Sequence, residues 1–181
     1  MNQEVLPETG EGAKARKSLW KTIVVASCLF ALDAIVLNLP SIAVATAFAL
    51  FFWLIPATLY HAIKENREME VFCAKKVLVY LVMVAAIFVS FSLNNRLAEQ
   101  RAEVLVAAID KFHDHKGSYP KSLQELVPEY LDAIPRANYT VSAGTFFYFF
   151  DGDSARLMYY CGPPFHRRIF RFKGREWYIL D

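Results

Sequence analysis

A histidine pair is the first feature of this chain that could do chemistry. His113 and His115 flank Asp114 in a segment with helical periodicity. Residues i and i+2 on a helix point about 200° apart, so the two imidazole rings cannot share a metal ion unless the helix unwinds. Histidine near a helix C-terminus is also favoured by the helix dipole. We therefore interpret the pair as ordinary helix-end residues and predict no metal site.

Two further patterns point away from catalysis. The segment Asp151-Gly152-Asp153-Ser154 is similar to the start of a calcium-binding loop, but no bidentate Glu follows at the required spacing, so we interpret it as a hairpin turn. The sequence also lacks Gly-x-Ser-x-Gly, His-Glu-x-x-His and phosphate-loop motifs. We predict a protein that is not an enzyme, with no catalytic residue and no cofactor.

Three apolar runs dominate the first half of the chain: Thr22 to Leu39, Ser41 to Leu59 and Val77 to Leu93. Each is close to or above the roughly 17 residues that a transmembrane helix needs. Asp33 is the only acidic residue within them. Carboxylates inside a membrane are often functional, which leaves open a small transport or ion-handling subunit that uses Asp33. The alternative is a hydrogen bond to a neighbouring span, or a position at the interface near Asn38.

Composition and charge predict the topology. Of the 181 residues 55% are apolar, and the net charge of +2 gives no reason to expect nucleic acid as a partner. Basic residues are concentrated in two segments. Lys14, Arg16, Lys17 and Lys21 precede the first run, and Lys64, Arg67, Lys75 and Lys76 lie between the second and third runs. The positive-inside rule then places both of these segments in the cytoplasm and the C-terminal half outside.

Five segments follow from these patterns. We expect a disordered cytoplasmic tail at 1–18, a hairpin of two spans at 19–60 and a cytoplasmic connector at 61–76. The third span continues into a long external helix over 77–116, and 117–181 forms an external α+β domain. The expected fold class is an α+β membrane protein with three transmembrane helices.

The external part of the long helix has a clear apolar stripe. It consists of residues at spacings of three and four, namely Ala98, Ala102, Leu105, Ile109 and Phe112. Gly117 is expected to end the helix as its C′ residue. A short helix should follow, with Pro120 in its first turn and a capping box between Ser122 and Glu125. Its residues Leu123, Leu126 and Val127 are expected to be buried on the long helix.

Extended patterns fill the rest of the chain. Thr145–Phe150, Ala155–Cys161, Arg167–Phe172 and Arg175–Leu180 predict a meander of about four antiparallel strands, with an additional edge strand near 139–142. The strand residues are apolar or aromatic on both faces, whereas a sheet covered on one face by a helix should be polar on the other. We infer a partner-binding surface that includes Phe147, Tyr148, Phe149, Arg171, Trp177 and Tyr178. The alternative is that the loop 138–144, or the membrane surface, covers this face.

The arginines of the last hairpin form a basic cluster. It comprises Arg167, Arg168, Arg171, Lys173 and Arg175. Alternation along the strands should divide these residues between two faces and place Lys173 in a turn. The cluster could bind acidic lipid headgroups or an acidic protein patch, or it could be a solvated edge that discourages aggregation.

The segment from Val77 to Pro135 resembles the type IV pilins and the pseudopilins of type II secretion, especially the major pseudopilin. The resemblance rests on the long helix, Gly117, Tyr119-Pro120, the Leu-rich short helix and Ile134-Pro135, with strands following. It implies a pilin-like external domain in the periplasm of a Gram-negative cell. The chain lacks the peptidase site, the Glu at the fifth position of the mature helix and a counterpart of the calcium loop of that family.

These observations favour one function and leave a second open. The first is an inner-membrane accessory subunit of a secretion or pilus-type assembly, which is not itself polymerised and binds another envelope protein. Self-association through the third span is also open. The alternative is a membrane-anchored immunity protein that neutralises a toxin at the inner membrane or in the periplasm, a hypothesis that rests on small size and the absence of catalytic motifs.

Overall fold

The computed structural model describes residues 10–38, 40–162 and 166–180, and the chain divides into two compact units. The first unit comprises Met1–Leu32 and Pro40–Phe88, and its described residues are helical apart from one short turn. The second comprises Asp33–Leu39 and Val89–Asp181 and combines a helix with a four-stranded antiparallel sheet. This mixture of helix and antiparallel sheet confirms the predicted α+β class at that level.

Helices make up most of the first half of the chain. Helix α1 covers Gly10–Leu32 and continues as a π-helical turn, Asp33–Leu37. Helix α2 covers Pro40–Ala49, a second π-helical turn covers Leu50–Leu54, and α3 covers Ile55–Ile63. Helix α4 runs over 50 residues, Arg67–Lys116. Among the described residues, three stretches are long and apolar enough to span a membrane: Arg16–Leu37, Pro40–Ile63 and Arg67–Lys116.

Two helix boundaries differ from the sequence prediction. Helix α1 begins at Gly10, so residues 10–18 are helical and not a disordered tail; residues 1–9 lie outside the described part. The connector predicted at 61–76 is reduced to 64–66, because α4 already begins at Arg67. The Asn66 side chain explains this early start, since its Oδ1 accepts a hydrogen bond from the Met69 N–H at 3.2 Å as a helix cap does.

Proline explains the second π-helical turn. Pro56 stands in the first turn of α3, immediately after the widened turn Leu50–Leu54. Proline has no N–H and its ring collides with the carbonyl one turn earlier, so the preceding backbone must adjust. The backbone before Pro56 therefore adjusts by widening into a π-helical turn.

Small residues allow the helices of the first unit to pack closely. Its buried cluster contains Ala26 from α1, Ala43 from α2, and Met83 and Ile87 from α4. Where alanine faces a neighbouring helix, the two backbones can approach closely.

The second half of α4 forms the base of the second unit. Ala98, Ala102, Leu105 and Ile109 are fully buried, and Phe112 packs beside them, which confirms the predicted stripe. The helix ends where the sequence indicates. Gly117 has φ +73° and donates its N–H to the His113 carbonyl at 2.8 Å, as a C′ glycine in the left-handed conformation does.

The short helix after Gly117 is less regular than predicted. It is one 3₁₀ turn, Leu123–Leu126, and the Ser122 side chain does not cap it. Glu125 Oε2 accepts its hydrogen bond from the Lys121 N–H at 3.2 Å, so the predicted capping box is wrong. Leu123 and Leu126 are buried as expected, but Val127 is not. Val127 precedes a proline, which forces extended backbone and ends the helix there.

The sheet is a simple meander with strand order β1-β2-β3-β4. Its strands cover Phe147–Asp151, Ser154–Gly162, His166–Arg171 and Glu176–Leu180, all antiparallel to their neighbours. Asp151 pairs with Ser154, so the predicted turn is a two-residue hairpin, and Gly152 provides the positive φ (+60°) that such turns require.

The loop before β1 does not form the predicted edge strand. Instead, Asn138 Oδ1 accepts hydrogen bonds from the N–H and the hydroxyl of Thr140, at 3.1 and 2.8 Å. Such local side-chain bonds compete with extended pairing. The loop then contacts the segment that follows α1: the N–H of Val141 donates to the Ile35 carbonyl at 2.9 Å, and that of Ser142 to the Val36 carbonyl at 3.3 Å.

Candidate protein-binding surface

The two faces of the sheet have different environments. One face packs on α4 and is called the core face; it contributes Leu157, Tyr159 and Phe170 to the buried cluster that includes Leu105 and Ile109. The opposite face, here called the open face, is defined by the cross-strand register. Its residues are Phe147, Phe149, Asp151, Ser154, Arg156, Met158, Tyr160, Arg167, Ile169, Arg171, Glu176, Tyr178 and Leu180.

Three rows of the open face extend across three or four strands, and Asp151 and Ser154 form a shorter one at the turn between β1 and β2. The middle row is apolar throughout and pairs Phe147 with Met158, Met158 with Ile169, and Ile169 with Tyr178. A row on one side runs Phe149, Arg156, Arg171 and Glu176, and a row on the other runs Tyr160, Arg167 and Leu180. An apolar stripe therefore lies between two rows that carry the charges.

Large apolar side chains of this face are accessible at its β1 edge. Phe147 is 37% exposed and Phe149 48% exposed. The loop 138–144, the predicted alternative cover, makes its backbone contacts with Ile35 and Val36 and leaves both rings accessible. Monomeric proteins seldom leave large contiguous apolar patches exposed, so this edge is a candidate protein-binding surface.

Aromatic rings hold two of the arginines in place. The Arg171 guanidinium lies 4.4 Å from the Tyr178 ring centroid, and that of Arg167 lies 5.7 Å from the ring of Tyr160. The Phe147 ring in turn meets Tyr160 edge-on at 5.8 Å. Stacking fixes the plane of a guanidinium while its N–H groups, which lie in that plane, stay able to bind an acceptor.

Two of the six predicted surface residues belong to the core face. Tyr148 is partly buried, and its hydroxyl donates to the Pro120 carbonyl at 2.8 Å; burial raises the pKa of this hydroxyl. Trp177 packs against Phe170 and Tyr159 at ring distances of 5.0 and 5.9 Å. Phe147, Phe149, Arg171 and Tyr178 lie on the open face.

Sequence reasoning missed Asp151, Ser154, Glu176 and Leu180, and it also missed five further members of the open face. These are Arg156, Met158, Tyr160, Arg167 and Ile169, all in the two central strands. Their signal was the alternation of β2, in which the buried Ala155, Leu157 and Tyr159 alternate with the less buried Arg156, Met158 and Tyr160. Within one strand, alternation shows which residues share a face, but it does not show which face meets the helix.

The basic cluster divides as alternation predicts. Arg167 and Arg171 lie on the open face, and Lys173 lies in the turn after β3. Arg168 points to the core side and donates a hydrogen bond from Nη1 to Glu99 Oε1 on α4. Arg175 donates from Nη2 to Asp110 Oδ2 at 3.0 Å, so it also binds α4.

Burial has opposite effects on the two members of the Tyr159–Arg168 contact. It raises the pKa of the Tyr159 hydroxyl, although the nearby Arg168 charge opposes the change. Burial alone would lower the pKa of Arg168, but its hydrogen bond to Glu99 and the charge of Tyr159 reverse the direction. Both groups therefore keep their neutral-pH charge states well into the alkaline range.

Asp33 lies at the start of the first π-helical turn and is 1% exposed. Its carbonyl accepts the N–H of Asn38 at 2.7 Å, and Asn38 Oδ1 accepts a hydrogen bond from Asn94 Nδ2 at 3.2 Å. The end of the first apolar stretch is therefore a buried polar site. An ion-handling role for Asp33 stays an untested hypothesis.

The two histidines of the first motif have different neighbours. The His113 ring stacks on Tyr119 at 4.3 Å, whereas His115 Nδ1 lies 3.2 Å from the Tyr130 hydroxyl. Within residues 10–38, 40–162 and 166–180, no three His, Cys, Asp or Glu side chains come together in a group that could hold a metal ion. The open face thus remains the candidate site.

Comparisons with known proteins add no relative. No protein-family model matches the chain, and neither a curated protein nor a solved structure matches it.

Proposed function

We propose that this chain is a non-catalytic inner-membrane protein that presents its second unit to another envelope protein through the open face. The observation that carries the proposal is the accessible pair of rings, Phe147 and Phe149, on the same face as the stacked arginines. Aromatic residues and arginine are the types most often found at the energetic centres of protein interfaces.

Exposed side chains on the apolar helices support a membrane anchor. Trp53 is 79% exposed, and Phe48, Phe51 and Phe52 are more than half exposed. In water these surfaces would promote aggregation, whereas in a bilayer they would contact acyl chains. The proposal therefore assigns three spans, with the N-terminus and residues 64–66 in the cytoplasm, as the distribution of Lys and Arg favours.

The second unit has features in common with pilin-type domains. Helix α4 continues without a break from its apolar half into the half that packs on the sheet, and Gly117, a short helical turn and a four-stranded antiparallel meander follow. On this basis we propose a pseudopilin-like periplasmic domain in an accessory subunit of a secretion or pilus-type assembly. An immunity protein would use the same anchor and the same face, with a toxin as its partner.

Site-specific photo-crosslinking tests the proposal. The photoreactive amino acid p-benzoylphenylalanine is introduced at Phe149, and cross-linked products are identified by mass spectrometry. The control places it at Tyr139, which is 70% exposed but lies in the loop before β1. A secretion or pilus subunit captured from Phe149 and not from Tyr139 would support the proposal, and a toxin would favour immunity. Equal or no capture at the two positions would overturn it.

Topology is tested separately with an alkaline phosphatase fusion after Asp181. The enzyme folds only outside the cytoplasm, so the proposal expects an active fusion. A well-expressed but inactive fusion would contradict the periplasmic assignment.

A further inference from the structure

The charges of the open face indicate what kind of partner it binds. Arg156, Arg167 and Arg171 lie on it together with two carboxylates, Asp151 beside the turn between β1 and β2 and Glu176 on β4. The Glu176 carboxylate lies opposite Arg171 in the register, with a separation of 3.9 Å between Nη1 and Oε1. Three guanidinium groups against two carboxylates leave the face with a net positive charge. A second copy of the chain would bring like charges together, so self-association through this face is disfavoured.

The spacing of the charges adds a geometric constraint. Along β3 the open-face residues are Arg167, Ile169 and Arg171, a basic–apolar–basic sequence at positions i, i+2 and i+4. Residues two apart in a strand are about 7 Å apart. An extended segment of a partner has the same repeat, so one carrying acidic, apolar and acidic side chains at alternate positions would match β3 in both charge and distance.

Arg167 and Arg171 are also held in conformations that favour carboxylate binding. Arg171 is stacked on Tyr178 and Arg167 on Tyr160, so less side-chain entropy remains to be lost when a ligand binds. Guanidinium groups bind carboxylates through two parallel N–H···O bonds, which is stronger and more directional than a bond from lysine. The apolar middle row would receive the side chain that lies between the two acids.

We propose that the open face binds an extended acidic segment of a partner protein with the pattern acidic–x–apolar–x–acidic, lying along β2 and β3. This inference rests on the proposed function and specifies its partner. The two carboxylates bind Arg167 and Arg171, and the apolar residue packs on Met158 beside Ile169, which is itself buried.

A peptide-binding experiment tests this assignment on the full-length protein in detergent. The probe is a synthetic peptide in which glutamate, leucine and glutamate are separated by threonines, immobilised densely on a biosensor surface so that weak binding is detected through avidity. Comparison peptides replace both glutamates by lysine, or the leucine by serine. We expect the acidic peptide to bind at least about tenfold more tightly than either.

Matched variants identify the binding residues. The double variant Arg167→Gln/Arg171→Gln should lose about tenfold or more in affinity, whereas Lys173→Gln, in the turn outside the open face, should change it less than about twofold. Glu176→Gln should strengthen binding, because it removes the carboxylate that competes for Arg171. A gain in affinity cannot result from misfolding, so this variant keeps the test decisive.

Equal binding of the acidic and basic peptides, or no binding by either, would overturn the inference. Vesicles containing phosphatidylglycerol are measured in parallel; binding to vesicles that depends on Arg167 and Arg171, without binding to the peptide, would identify a lipid surface and also overturn it. Photo-crosslinking from Phe149 to a protein segment without acidic residues would refute this inference while leaving the proposed function intact.

Discussion

Ser142 and Val36 join parts of the chain that are 106 positions apart. The Ser142 hydroxyl donates to the Val36 carbonyl, and the Ser142 N–H donates to the same oxygen at 3.3 Å. Val36 lies in the last helical turn of the first apolar stretch, where carbonyls have no partner within the helix. The loop before β1 supplies the missing donors, so it acts as a cap for that helix end.

This contact predicts a measurable effect of a single hydroxyl. Ser142→Ala removes the side-chain bond and retains the backbone bonds, so the loop should lose about 1 kcal/mol of local stability. Hydrogen exchange of the Val141 and Ser142 amides should then accelerate about fivefold. Thr145→Ala, at an exposed position nearby, serves as control. Unchanged exchange at both amides would show that the hydroxyl does not contribute to capping.

Substitutions at two adjacent residues of β4 should affect protein stability and partner binding differently. Trp177→Ala removes a core-face ring and should cost about 3–5 kcal/mol in the free energy of unfolding. Tyr178→Ala alters the open face and should cost less than about 1.5 kcal/mol, yet it should abolish photo-crosslinking from Phe149. Denaturant unfolding and crosslinking are measured on both. If Tyr178→Ala is the more destabilising variant, the assignment of the faces is wrong.

Gly117 should be sensitive to substitution because of its backbone conformation and not because of steric contact with neighbouring atoms. Its φ of +73° lies in the left-handed region, and a Cβ at this position would meet no atom within 4 Å. Gly117→Ala should therefore destabilise by about 1–2 kcal/mol, and Gly117→Asn by less, since asparagine tolerates this conformation. Thermal unfolding of both variants tests this. Equal effects of the two would point to a cause other than φ.

Buried tyrosines should make the second unit sensitive to alkali. Burial raises the pKa of the Tyr148 and Tyr159 hydroxyls above the ordinary value of 10. When the pH lies between 10 and the folded-state pKa values, the folded protein retains tyrosine protons that the unfolded chain has lost. The contribution of these two tyrosines to the free energy of unfolding should then be constant below about pH 9 and fall as the pH rises above 10.

A tyrosine variant provides the check on this pH dependence. Tyr148→Phe loses the hydrogen bond to Pro120 and should be about 1 kcal/mol less stable at pH 8. Above pH 10 its stability should fall less steeply than that of the unmodified protein, because one buried titrating group is gone. The control is Tyr139→Phe, which removes one exposed tyrosine and leaves the buried tyrosines in place. Parallel curves for all three proteins would contradict the linkage to Tyr148.

Local patterns in the sequence predicted much of the fold correctly. The apolar stripe from Ala98 to Phe112, the end of the helix at Gly117 and the hairpin turn at Gly152 each depend on side chains or backbone angles within a few residues. Such features are dictated by helical or strand periodicity and by the conformational range of glycine. The three apolar stretches are recognisable for the same reason.

Only the tertiary structure decided which strand face meets the helix. Trp177 and Tyr178 are both large and aromatic, and so are Tyr148 and Phe149, so composition does not tell the faces apart. The choice depends on the cross-strand register and on which face fits the surface of α4, both of which are long-range relations. The cap that Ser142 places on the end of the first apolar stretch is likewise beyond local reasoning, because its partners are distant in the sequence and meet only when the chain is folded.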